Sequence, residues 1–261
     1  MRRVAVTDGM AEEAVRKLEQ AGCEVVQGFI EHDVLDAGGL AEFDAIIVRS
    51  ATKITEQMLI KSQPRLKVVA RAGVGVDNID IPAASTLGLP VVNAPRASTQ
   101  SVVELTIGHL LGSLRFIPRA DRSLRLGEWA KKELKGTELF GKRLGLIGFG
   151  RIAQGVAKVA QAFGMEVHSY DPYLPSSVAR KANVTMHKNV DNLFKTCTHI
   201  SIHCNLTDET HHLINTKRIE MMPGVDPFNL KCGNHIVNCA RGGIVDEDAA
   251  LSALESGQLA S

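Results

Sequence analysis

Leu144-Gly145-Leu146-Ile147-Gly148-Phe149-Gly150-Arg151-Ile152-Ala153 is the stretch from which the fold is read. Its first four residues make a short apolar strand, and the two glycines break it. The residues after Gly150 open a helix, with Val156, Val159, Ala160 and Phe163 at helical spacing. In a strand–turn–helix of this kind the first glycine permits the tight turn and the second lets a pyrophosphate approach the backbone. The third position needs a small side chain for close helix–strand packing, and Ala153 meets that need. Free amides at the helix N-terminus attract phosphate. Asp171 closes the next strand, residues 166–170, and lies 21 positions past Gly150. That is where a carboxylate accepts hydrogen bonds from the adenosine ribose. A glycine turn alone could be structural and Asp171 a surface acid; the strand before, the helix after and the spaced acid together point to a dinucleotide. Pro172, Tyr173 and Leu174 follow Asp171, so no arginine is at hand for a 2′-phosphate, and NAD is favoured over NADP.

Working outward, residues 200–203 and 236–239 read as further strands of the same sheet. The long apolar helix at 98–116, with Ser98 or Thr99 as its cap, and a more charged helix at 118–129 precede it. Before Ala94-Pro95 lies a separate alternation. It has apolar strands at 4–6, 23–26, 44–48, 66–70 and 90–92, with helices at 10–21 and 56–62. Continuous apolar strands separated by helices predict parallel sheets. The expected fold is therefore α/β, with two doubly wound parallel-sheet domains at 1–97 and 98–261. Rigid helices join them and a cleft lies between them, a common place for a substrate.

With 261 residues and 44% hydrophobic content, the chain can build two cores. Thirty Lys and Arg balance 29 Asp and Glu, and only 4% of residues are aromatic, which argues against a nucleic-acid surface. The basic run at 115–135 is interrupted by Asp121, Glu128 and Glu133 and reads as a solvated face. No apolar run approaches the roughly 18–20 residues of a membrane span, and the N-terminus lacks the apolar core of a signal peptide. Five cysteines without a CxxC pair suit a reducing compartment, so the expected setting is cytoplasmic. No His/Cys spacing matches a zinc site, and adjacent residues such as His211-His212 point to different sides of a helix or strand and so rarely converge on one ion, so no metal is expected.

Four stretches carry a resemblance to the D-isomer-specific 2-hydroxyacid dehydrogenase family. They are Val48-Arg49-Ser50-Ala51-Thr52-Lys53, Arg71-Ala72-Gly73-Val74-Gly75-Val76-Asp77-Asn78, the Gly148 turn with Asp171-Pro172, and Asn238-Cys239-Ala240-Arg241-Gly242-Gly243-Ile244-Val245-Asp246-Glu247. The resemblance spans essentially the whole chain. It implies a flavodoxin-like substrate domain followed by a Rossmann NAD-binding domain. The implied reaction is hydride transfer from C2 of a 2-hydroxy acid to NAD, with a phosphorylated acid as the favoured substrate.

The resemblance places Arg241 on the substrate carboxylate and carbonyl, a role suited to a permanently charged, forked guanidinium. It places Arg49, Ser50, Arg71, Ala72 and Gly73 around the substrate's acidic groups. Val74, Arg151, Ile152, Cys204, Cys239 and Ala240 join Gly148, Gly150, Ala153 and Asp171 against the cofactor. Arg49 and Arg71 could instead be solvated surface cations, Arg241 a turn cap, and the two cysteines small buried hydrophobes. A homo-oligomer is implied as well.

Three departures stand out. The family's catalytic Glu and acid/base His are expected beyond Ser261, which would make the chain a fragment. Residues 225–233 read as an inserted loop, and Ser98 stands where relatives carry Asn. An unphosphorylated hydroxy acid such as glyoxylate or hydroxypyruvate is the alternative substrate. An NAD- or partner-binding protein without turnover is the alternative class.

Overall fold

The computed structural model describes residues 1–261 and divides into two compact units, Met1–Ser98 and Thr99–Ser261. In the first unit the chain runs β1 (Arg2–Val6), α1 (Glu12–Gln20), β2 (Cys23–Gln27), α2 (His32–Asp36), β3 (Ala45–Val48), α3 (Glu56–Lys61), β4 (Val68–Arg71), α4 (Ile81–Thr86) and β5 (Val91–Asn93). All pairings are parallel, in the order β2-β1-β3-β4-β5. This is the flavodoxin-type order, in which the strand sequence reverses between β1 and β3. Ala5, Ile46, Val48 and Val69 are buried in the sheet, packed with Leu35, Met58, Leu59 and Leu66 from the connecting segments. The helix starts follow from local chemistry. Thr55 accepts from the amide of Met58 and Asp80 from that of Ala83, with Pro82 in the first turn of α4.

The second unit continues with α5 (Thr99–Leu114), α6 (Ile117–Arg125), β6 (Arg143–Ile147), α7 (Arg151–Ala162), β7 (Glu166–Tyr170), α8 (Ser176–Lys181), β8 (Thr185–His187), α9 (Val190–Thr196), β9 (His199–Ile202), α10 (Thr216–Glu220), β10 (His235–Asn238) and α11 (Glu247–Glu255). The sheet order is β10-β9-β6-β7-β8, again all parallel. Counted from β6 as the first strand and read from the β8 edge, this is 3-2-1-4-5, the Rossmann sequence, with its switch point between β6 and β9. Leu144, Leu146, Val167, Ile200 and Ile202 are buried within it. Two glycines allow close helix approach: a Cβ at Gly145 would sit 2.9 Å from Leu193 of α9, and one at Gly155 would sit 2.6 Å from Val103 of α5. These contacts seat α9 on the sheet and α7 against α5.

Several expectations need correction. Strand β8 was not foreseen, because Thr185-Met186-His187 is short and has one apolar residue of three. The helix expected at 98–116 ends at Leu114, where Phe116 takes a left-handed φ of 54° and turns the chain into α6. The helix expected at 118–129 ends at Arg125, since Gly127 has φ of 78°. The segment 225–233 is an ordered turn rather than a plain loop. Asp226, with a side chain 1% exposed, accepts from the amides of Phe228 and Leu230 and pairs with Lys142 at 2.9 Å. No helix is long and apolar enough to cross a membrane.

Candidate functional site

The turn after β6 is shaped by a switch point crowded with backbone. Gly148 has φ of 82°, and its N–H donates to the carbonyl of Tyr170 at 2.8 Å. A Cβ there would lie 2.9 Å from the carbonyl oxygen of His203 and 3.1 Å from the amide nitrogen of Cys204, so the fold itself requires glycine. Gly150 is different. It caps α7 with φ of −72°, a conformation open to any residue, and a Cβ would meet nothing within 4 Å. No protein atom fills the space above Gly150, which suits close approach of a pyrophosphate to the helix N-terminus. Ala153 is fully buried and keeps α7 tight on the sheet, while Ile152 packs half-buried on the same core. Arg151, at the first position of α7, is exposed.

Asp171 serves the turn as well as facing the cavity. Its Oδ2 accepts from the amide of Phe149 at 2.8 Å, and its Oδ1 accepts from the amides of Tyr173 at 2.9 Å and Leu174 at 3.1 Å. The ends of β6, β7 and β9 enclose a cavity of about 310 Å³, to which Gly148, Gly150, Asp171 and Cys204 all contribute. These residues and this open turn fit the adenosine and pyrophosphate parts of NAD. Burial pushes the Cys204 thiol up, so it stays protonated and acts as a small apolar wall. His203, also lining the cavity, is held neutral by burial, its pKa pushed down to about 4, with Nε2 on the Ser201 hydroxyl.

Cys239, Ala240 and Arg241 follow β10. Cys239 packs on the core of α5 and α7, and Ala240 on that of α9 and α11. Asn238 folds this turn by accepting from the Ala240 amide and donating to the Arg241 carbonyl. The Arg241 side chain is half-buried, with Nη1 donating to the Ala240 carbonyl at 2.8 Å. The turn is zipped to the segment after β9: His212 N–H donates to the Gly243 carbonyl, and Ile214 and Val245 form a parallel bridge.

In the first unit the sequence-expected residues collect at the C-terminal ends of β3 and β4. Arg49 and Ser50 follow β3 and are exposed. Arg71 ends β4, and its Nε donates to Asn78 Oδ1 at 3.3 Å. Ala72 donates its amide to the Val48 carbonyl, and a Cβ on Gly73 would collide with the Arg71 guanidinium. Val74 accepts from Asn93 at 2.6 Å. Two organising residues were missed. Asp8 accepts from the amides of Arg49 at 2.6 Å and Thr52 at 3.1 Å and from the Thr52 hydroxyl at 2.6 Å. Burial alone would raise its pKa, but these hydrogen bonds outweigh burial and hold it below the usual carboxylate range. Asn78 donates to the carbonyls of Arg49 and Thr52. The position of Asp8, just past an apolar strand, was the available signal.

The family described as D-isomer specific 2-hydroxyacid dehydrogenase, NAD binding domain, matches residues 107–261. Among curated relatives, D-3-phosphoglycerate dehydrogenase of Methanocaldococcus jannaschii is 45% identical over 260 residues, 99% of this chain and 48% of the relative. Hydroxypyruvate reductase of Thermotoga maritima is 44% identical over 258 residues, 98% of this chain and 80% of the relative. The chain thus spans about half the length of the archaeal relative. Among solved structures, D-lactate dehydrogenase of Aquifex aeolicus, complexed with NAD and lactic acid, superposes with a TM-score of 0.85. It is 30% identical, with 99% of this chain and 75% of that one covered.

Proposed function

This chain belongs to the D-isomer specific 2-hydroxyacid dehydrogenase family, and on that premise we propose that it serves the NAD-dependent oxidation of 3-phospho-D-glycerate to 3-phosphohydroxypyruvate, in serine biosynthesis. The observation that carries the reading is the 45% identity to a D-3-phosphoglycerate dehydrogenase across 99% of the chain. NAD, when bound, supplies the hydride acceptor. The residues of this chain bind and orient. The Gly150 turn and the α7 amides receive the pyrophosphate, and Asp171 receives the adenosine ribose. Arg241 holds the substrate carboxylate and stabilises charge at the C2 oxygen, its direction set by the Asn238-locked turn. Arg49, Ser50, Arg71, Ala72 and Gly73 meet the acidic groups of the substrate, and Asp8 and Asn78 hold Arg49 and Arg71 in place. A cytoplasmic homo-oligomer is the form in which we place it.

A second reading has its own support, the 44% identity over 80% of a hydroxypyruvate reductase. Steady-state rates with 3-phospho-D-glycerate and with D-glycerate separate the two. A kcat/KM at least tenfold higher for the phosphorylated acid is expected, and the reverse order moves the assignment to the reductase. Arg241→Lys lowers kcat/KM about 10²-fold by losing the fork, as for loss of a single oxyanion donor.

A further inference from the structure

Asp171 has less acceptor capacity than its position suggests. A carboxylate offers about four lone-pair sites. Three of these are occupied by the amides of Phe149, Tyr173 and Leu174, which leaves one, on Oδ2. An adenosine ribose presents two hydroxyl donors and its adenine an amino group, so a single remaining site does not satisfy it. The three amide donors also offset part of the Asp171 charge, weakening its repulsion of a phosphate on the ribose.

A second carboxylate lines the same cavity. Glu209, in the segment after β9, is exposed, and its Oε2 accepts from the Tyr173 hydroxyl at 3.2 Å while Oε1 has no partner. Tyr173 therefore links the two acids, through its amide to Asp171 and through its phenol to Glu209. The backbone under Glu209 is fixed too. The Thr210 hydroxyl accepts from the Thr207 amide at 2.7 Å and donates to the Asn205 carbonyl at 2.7 Å. The hydrogen bond to Glu209 raises the Tyr173 phenol above its ordinary value, so the bridging proton stays on tyrosine.

We propose that Glu209 is a second acidic determinant of cofactor choice, accepting a hydrogen bond from the adenosine half of NAD and repelling a phosphate on its ribose, with Tyr173 as its positioning residue. The inference rests on the NAD reading above and adds to it a residue for which neither motif nor spacing gave a role. Coulomb's law in water puts the repulsion between Glu209 and a dianionic phosphate roughly 6 Å away at about a tenfold effect on affinity.

The test is calorimetric titration of the whole chain with NAD, NADP and ADP-ribose, at low and at high salt, for wild type, Glu209→Gln, Glu209→Ala and Tyr173→Phe. Glu209→Gln, which keeps an acceptor and loses the charge, is expected to hold NAD within about threefold. It should also shrink the wild-type preference for NAD over NADP about tenfold. Glu209→Ala is expected to weaken NAD and ADP-ribose alike by about tenfold. Tyr173→Phe should lower the NAD/NADP preference in the same direction by a smaller factor, which a purely structural tyrosine would not do. High salt should erode the wild-type preference and leave that of Glu209→Gln nearly constant, because the site is exposed. If wild type binds NAD and Glu209→Gln leaves the preference unchanged, this inference is overturned and the NAD reading stands. If wild type binds neither NAD nor ADP-ribose, the NAD reading fails and the inference fails with it.

Discussion

Replacing each glycine of the β6–α7 turn by alanine separates what the fold needs from what the cofactor needs. At Gly148 the backbone has φ of 82°, and a left-handed conformation costs an L-residue about 1–2 kcal/mol. The added methyl would also stand 2.9 Å from the His203 carbonyl oxygen and 3.1 Å from the Cys204 nitrogen, both backbone atoms that move only with β9. Overpacking of that kind costs about 1–3 kcal/mol. Gly148→Ala is therefore expected to destabilise the second unit by about 2–5 kcal/mol, or roughly 4–20 °C in Tm for a unit of this size. Gly150→Ala meets no atom within 4 Å and sits at an ordinary φ. Reduced unfolded-state entropy and a poorer helix cap nearly cancel, leaving stability within about 1 kcal/mol of wild type. Its methyl nevertheless occupies the approach to the α7 amides, so NAD affinity should fall by about tenfold or more as phosphate contacts lengthen. Thermal unfolding and calorimetric NAD titration of the two variants read the two effects apart. A Gly150→Ala protein that binds NAD as tightly as wild type would refute the placement of the pyrophosphate. A Gly148→Ala protein as stable as wild type would refute the packing argument.

Other expectations follow from the same geometry. Asp226→Ala should free the 225–233 turn, seen as faster hydrogen exchange at the amides of Phe228 and Leu230; unchanged protection there would mean Asp226 does not hold it. The hydrogen bond from Lys142 depresses the pKa of Asp226, so its stabilisation is present above the ordinary carboxylate range and is lost as pH falls through the lower folded value. Burial pushes His199 down to about 3 and His203 to about 4. The unfolded chain takes up these protons first, so the second unit should lose stability as pH falls from about 6.5 toward 4. Urea unfolding of His199→Gln should show a shallower decline over that interval, and an identical slope would count against it. Gly73→Ala should displace only the mobile end of Arg71, leaving Tm within a few degrees while raising KM for the acidic substrate; an unchanged KM removes Arg71 from substrate binding.

Much of this molecule is written locally. Nine of the ten strands are legible in the sequence, most of them as short apolar runs bounded by glycine, proline or polar residues, because a buried parallel strand needs apolar side chains on both faces. The exception, β8, is Thr185-Met186-His187, an edge strand of three residues whose membership depends on pairing with His168-Ser169-Tyr170. The glycine turn and Asp171 are legible because helix-terminal amides and a positive φ demand particular residue types within a few positions. The helix ends at Leu114 and Arg125 were misplaced because left-handed φ at Phe116 and Gly127 is settled by what the next helix packs against.

The amino-acid sequence by itself determined two parallel α/β units, the glycine turn after β6, the acid at Asp171 and the arginines at strand ends. Each of these follows from hydrophobic periodicity or from a backbone requirement that one residue type meets. Only the tertiary structure decided how those parts are held. Asp8 reaches Arg49 and Thr52 more than forty positions away, Lys142 reaches Asp226 across 84 positions, and Tyr173 reaches Glu209 across 36. Such partners carry no periodic signal. They are chosen by sheet register, which brings the ends of β1 and β3, or of β7 and β9, to one level of the fold and leaves polar side chains there to find one another.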